Sequence, residues 1–161
     1  MSSQDLLKVF PRAGRVEWIG LSPGRRESIL TVAEADVEVG TGLVGDHHAR
    51  TGRGERQVTL IQAEHFSVLS SLMGRDVTPE MMRRNVVVAG INLNALKNRP
   101  FRIGDVQLRG TGPCPPCSRI EEALGPGGLA AAFGHAGITA SVVAGGRIRV
   151  GDEVHHGDDP T

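Results

Sequence analysis

Apolar and polar positions change rhythm several times along this chain, and most of the rhythm is that of short strands. Arg15 to Ser22 reads R-V-E-W-I-G-L-S, with Val16 and Trp18 on one side, and predicts a first strand. S-P-G-R-R-E, from Ser22, is a turn signal. Thr31 to Val39 carries Val32, Val37 and Val39 and predicts a second strand region that ends at Gly40. A glycine-rich bend follows from Gly40 to His48, then a mobile polar loop from Ala49 to Glu55. Q-V-T-L-I, residues 57–61, is a strand, and Gln62 to Met73 is the best helix, with Phe66, Leu69, Leu72 and Met73 on one face and Gly74 as its stop. Thr78-Pro79 opens a short helix to about Arg83, ahead of N-V-V-V-A-G (85–90), a buried strand.

Two later segments echo each other. F-R-I-G-D-V-Q-L (101–108) and I-R-V-G-D-E-V (148–154) each predict strand, Gly-Asp turn and strand, and Ala140 to Ala144 with Gly145-Gly146 predicts another hairpin. The sum is a mainly β chain: a small closed or half-closed barrel with two or three short helices at its rim. One domain over residues 15–154 is expected, between a leader (1–14) and a polar tail (155–161).

Composition narrows the class. The formal charge is zero, so there is no basic footprint for nucleic acid. The cations are almost all arginine, Lys8 and Lys97 being the only lysines. Codon bias accounts for most of that, and a few arginines suit bidentate capture of phosphate or carboxylate. There is no signal-peptide pattern and no apolar run near the ~20 residues a membrane span needs. A soluble cytoplasmic protein with reduced thiols is the expectation, with no membrane partner.

The chemistry concentrates in T-G-P-C-P-P-C-S-R-I-E-E, Thr111 to Glu122, which holds both cysteines. Ser118 with Glu121 three residues on reads as a capping box, so a helix should begin after Cys117 and stop at Gly125-Pro126. A thiol at such a mouth deprotonates more easily, and the thiolate is the nucleophile and the metal ligand. Prolines 113, 115 and 116 stiffen the approach. Three readings of C-x-x-C stand: a redox pair, which the element order does not suit; a zinc knuckle, which lacks partner ligands; and a single reactive or metal-ligating thiolate at Cys117 with Cys114 as neighbour, set against plain packing.

Other candidates are weaker from the residues alone. Arg83-Arg84-Asn85 is either a phosphate clamp or a solvated helix end, and spacing favours the second. Gly45-Asp46-His47-His48 is a turn more readily than a metal site, since adjacent side chains diverge. His135, in F-G-H-A-G, reaches a pocket or caps a turn.

With those residues in view the chain resembles the MOSC family, named for the C-terminal domain of molybdenum cofactor sulfurase. The matching stretches are G-L-V-G-D-H-H (42–48), R-Q-V-T-L-I-Q-A-E-H (56–65), R-R-N-V-V-V-A-G-I-N-L (83–93), F-R-I-G-D-V (101–106) and G-P-C-P-P-C-S-R-I-E (112–121). The resemblance implies a small MOSC-type β-barrel. It implies that Cys117 ligates molybdenum in molybdenum cofactor (molybdopterin), and that Arg83 and Asn85 hold the cofactor's phosphate end. Two roles follow from it. In one, an enzyme removes oxygen from an N-hydroxylated small-molecule substrate, Asp46 or His135 assists proton delivery, and an electron-donor reductase is the partner. In the other, Cys117 is a sulfur carrier holding a persulfide received from a cysteine desulfurase, with Cys114 as resolving thiol. The chain has no pyridoxal-phosphate-dependent desulfurase half and no extra N-terminal barrel of the amidoxime-reducing relatives.

Overall fold

The computed structural model describes residues 1–24, 26–47, 54, 56–114 and 117–157. After a short helix α1 (Ser3–Leu6), strands β1 (Gly14–Leu21), β2 (Leu30–Val32), β3 (Glu34–Glu38) and β4 (Gly42–Leu43) lead to β5 (Val58–Gln62). Helices α2 (His65–Met73) and α3 (Pro79–Met82) precede β6 (Val86–Ala89), and a single 3-10 turn at Leu93–Leu96 precedes β7 (Pro100–Ile103) and β8 (Val106–Pro113). The chain continues through α4 (Ser118–Leu124), α5 (Gly128–Ala132), β9 (Ile138–Ala144), β10 (Gly146–Arg149) and β11 (Glu153–His156).

Seven strands close into a barrel in the order β1-β11-β7-β8-β9-β5-β6 and back to β1, with β2 continuing along the free end of β1. Neighbours are antiparallel except β5 and β6. A parallel pair needs a long crossover, and α2 and α3 form it. A second sheet, β10-β3-β4, turns Ala35, Val37, Leu43 and Ile148 into the barrel's apolar interior. The expected mainly β, barrel-type fold is the one observed.

A bulge in β1 divides the core in two. Its register against β6 shifts between Val16 and Trp18, so Val16 faces the barrel interior while Trp18 packs outside it, against the helices. Simple alternation, which puts both on one side, misses this. The outer layer is Ile61 and Val87 on the wall, covered by Leu69, Met82, Ile120, Leu124 and Ala132 from α2 to α5. Phe101 is wholly buried in the inner cluster. Phe101→Ala should cost about 3–5 kcal/mol in a urea unfolding titration, since the strands around it cannot collapse into the space.

Several local expectations are corrected. β5 runs on through Gln62, so α2 starts at His65; the Gln62 carboxamide is buried, donating to Ile91 O at 2.9 Å and accepting from Leu93 N at 2.9 Å. Leu72 is exposed rather than core-facing. The strand expected over 31–39 breaks at Ala33, whose carbonyl accepts from Val150 N. Neither 140–146 nor 148–154 is a hairpin, because β10 leaves both neighbours to pair with β3. Gly145 permits that departure: a Cβ there would meet the Val37 carbonyl oxygen at 2.5 Å. β11 extends through His155 and His156. Most of the loop expected over 49–55 lies outside the described residues.

Candidate functional site

The ends of three segments converge on one cleft. β1 delivers Ser22 just past its last residue, the α3–β6 junction delivers Arg83 and Arg84, and the loop after β8 delivers Cys117 and Arg119. The cleft measures about 270 Å³ and is also lined by His47, Met81, Met82 and Ile120. Three guanidinium groups, one imidazole and one thiol therefore share a concavity that no carboxylate lines among the described residues. Such a surface favours an anion, and more so where water is partly excluded.

Cys117 is exposed and Cys114 buried, neither is in a disulfide, and the Cys114 backbone N–H is held by Gly137 O at 2.8 Å. α4 begins directly after Cys117, as expected. The capping box does not form. Instead the Glu121 carboxylate reaches forward to the amides of Leu129 at 2.8 Å and Gly127 at 3.1 Å, closing the start of α5. Those amide bonds, Leu129 first, hold its carboxyl below the usual carboxylate range.

Arg83 occupies the left-handed region, φ 56°, at the C-cap of α3. That conformation is unfavourable for a residue with a Cβ, and the bonds the side chain makes help to sustain it. Its guanidinium donates to Ser22 Oγ and to Glu27 O. Ser22 is the hub of the site: its backbone N–H donates to Asp46 Oδ1 at 2.7 Å and its carbonyl accepts from His47 N at 2.7 Å. The same carbonyl lies 2.9 Å from His47 Nδ1. A carbonyl can only accept, so Nδ1 is the protonated nitrogen of that ring. Arg84 donates through Nε to Ala136 O at 2.9 Å, while its Nη2 is buried with no partner among the described residues.

Of the residues singled out from sequence, Cys117 and Arg83 line the cleft and Asp46 braces it from behind through Ser22. Cys114, Asn85 and His135 are not lining residues. Asn85 is buried in the barrel wall, accepting from Thr59 N at 3.1 Å and donating to Gly20 O at 3.2 Å, so it ties β5 to β1 directly behind the two arginines. His135 stacks edge-on against His65, ring centres 4.7 Å apart, with Nδ1 buried and without a partner among the described residues. Ser22, Arg119 and Met81 were not singled out from sequence; Ser22 was legible only as the start of a turn, and Arg119 only as the neighbour of Ser118. His48 lies outside the described residues. Among the described residues no three His, Cys, Asp or Glu side chains gather as a metal site.

The histidines away from the cleft give a pH prediction. Burial, and then the nearby His135, holds the His65 imidazole below its ordinary 6.5, against the opposing pull of Glu64. Burial, then Arg99 and Lys8, does the same to His156. The unfolded chain therefore binds protons more readily than the fold, so this stability is present above about pH 6.5 and lost as pH falls through the folded values. Thermal melts should fall between about pH 7.5 and 5.5 and flatten measurably in His65→Gln; an unchanged slope would contradict the assignment.

Comparison with known proteins comes to the same architecture. The MOSC domain profile matches residues 45–155. The YuaD protein of Bacillus subtilis superposes with a TM-score of 0.77 at 20% identity, over 89% of this chain and 94% of that one. YiiM of Geobacillus stearothermophilus gives 0.72 at 18% identity over 89% and 75%, and YiiM of Escherichia coli 0.68 at 18% over 94% and 72%. No curated protein matches significantly. Among the described residues no helix is long and apolar enough to cross a membrane.

Proposed function

Since this chain belongs to the MOSC domain family, we propose that its cleft binds molybdenum cofactor, with Cys117 as the protein's ligand, and serves removal of oxygen from N-hydroxylated compounds. The observation that supports this reading is the exposed Cys117 thiol in a cleft with three arginines and, among the described residues, no lining carboxylate. A soft thiolate suits molybdenum, and a phosphate-bearing pterin needs cationic donors. The buried, unpartnered Nη2 of Arg84 and the strained Arg83 fit such an anion. Because no three His, Cys, Asp or Glu side chains gather here among the described residues, a metal must arrive with donors of its own.

When bound, the cofactor supplies a two-electron redox centre for cleaving the N–O bond. The chain's own part is to hold and orient. Cys117 provides the thiolate, Arg83, Arg84 and Arg119 neutralise the anion, and the Asp46–Ser22 link keeps Arg83 in its strained pose. Asn85 positions both arginines by fixing the start of β6. Reduction of an N-hydroxy group to the amine takes two electrons and two protons and releases water. As the imidazole that lines the cleft, His47 joins Asp46 and His135 as a candidate for proton delivery. The electrons come from a separate reductase.

Purification from a host that makes the cofactor should give protein with molybdenum and pterin in equal amounts. Arg83→Ala/Arg84→Ala should lose at least about tenfold in cofactor occupancy, each charge-assisted contact contributing on the order of 1.5–3 kcal/mol. Full occupancy in that variant would put the anion elsewhere.

The exposure of Cys117 beside buried Cys114 also supports a second reading, a sulfur carrier loaded by a cysteine desulfurase, with Cys114 releasing the sulfur as the pair closes to a disulfide. Mass spectrometry after incubation with a desulfurase and cysteine would then show one added sulfur atom on Cys117, and its absence would exclude this role.

A further inference from the structure

We propose that a saddle between the N-terminal segment and strands β7 and β11 is a second anion site, built for a small phosphate-bearing ligand. The chain has only two lysines, Lys8 and Lys97, and the fold brings both to this place. One hollow, about 610 Å³, is lined by Lys8, Lys97, Arg99 and His156 among its polar groups. An adjoining hollow of about 260 Å³ shares Lys8 and His156 and adds Arg12 and His155. Among the described residues no carboxylate lines either one.

Two described carboxylates nearby are engaged elsewhere. Glu153 holds His155 at 2.7 Å, and the Asp5 carboxylate is turned to Ser2, accepting from its hydroxyl at 2.8 Å. Arg12 also interacts with Glu64, so among the described residues the cations that face the larger hollow without a carboxylate partner are Lys8, Lys97 and Arg99, the last donating to Gln4 Oε1 at 3.4 Å. Like charges gathered together repel, and an anion placed among them relieves that repulsion. His156 registers the field: after burial, Arg99 and Lys8 are what disfavour its protonation.

The ligand class follows from the donors. Ammonium heads and a guanidinium fork suit phosphate oxygens. Phe10 stacks on His156, ring centres 5.2 Å apart and planes 28° apart, which sets an aromatic surface beside the cations. A phosphate with or without an attached ring fits; a nucleic-acid duplex does not, because the chain's net charge is zero and the cations form a cluster rather than a stripe. The two hollows share no lining residue with the Cys117 cleft, so the inference stands apart from the function proposed above.

Calorimetric titration of the full chain at low salt, with pyrophosphate and with ADP as probes, tests it. Saturable binding is expected. Lys97→Glu/Arg99→Glu should weaken it at least about tenfold through charge reversal, and Lys8→Ala, on an exposed segment outside the barrel, by severalfold. Arg83→Ala/Arg84→Ala, which removes the anion contacts of the Cys117 cleft, should leave binding at this second site in place. Tighter binding of ADP would identify a nucleotide, and equal binding the phosphate group alone; both support the site. Failure of both probes to bind, wild-type affinity in the charge-reversed variant with its circular dichroism intact, or loss of binding in Arg83→Ala/Arg84→Ala would overturn it.

Discussion

Gly137→Ala is expected to destabilise the protein by about 3 kcal/mol or more, the sum of a left-handed backbone penalty and a steric one. Gly137 has φ +93°, and a Cβ there would meet Leu60 O at 2.0 Å and Ile61 Cα at 3.1 Å. Both contacts are backbone atoms of β5, so no side chain can rotate away; the β5–β9 seam itself must open. For a chain of this size the melting temperature should drop by roughly 6–12 °C. The same substitution reaches the site, because Gly137 O holds the Cys114 amide and the β8–β9 pairing ends there, at Pro113 and Ile138. A variant that melts like wild type would mean that this close approach does not exist.

What could be read from the chain follows the range of the interactions. The hairpin at 101–108 was legible because a Gly-Asp turn decides its own partner. The same signature at 148–154 misled, since there the backbone of Gly151 and Asp152 bonds to Val16 of β1 and the strand before it crosses to β3. The start of α4 after Cys117 was legible; the use of Glu121 was not, because its carboxylate serves a helix later in sequence. Ser22 was invisible for a similar reason. Its partners Asp46 and Arg83 lie 24 and 61 residues away, and nothing local marks a turn serine as a hub. Arg83 and Asn85 came from the family resemblance, which did not distinguish a residue lining the cleft from one buried behind it.

Cys117→Ala carries the largest functional effect of any single change. The side chain is exposed, and as N-cap of α4 it makes no side-chain capping bond. Its removal should leave folding within about 0.5 kcal/mol of wild type. A metal held by one protein sulfur should nevertheless be lost almost wholly, while Cys114→Ala, at a buried thiol outside the cleft lining, should bind metal as wild type does after any correction for stability. The measurement is molybdenum per polypeptide in wild type, Cys117→Ala and Cys114→Ala purified from the same cofactor-producing host, with melting curves alongside. Near-stoichiometric metal in wild type and Cys114→Ala, with background metal in a fully folded Cys117→Ala, is the result predicted here. Undiminished molybdenum in Cys117→Ala, or none in wild type, would contradict it.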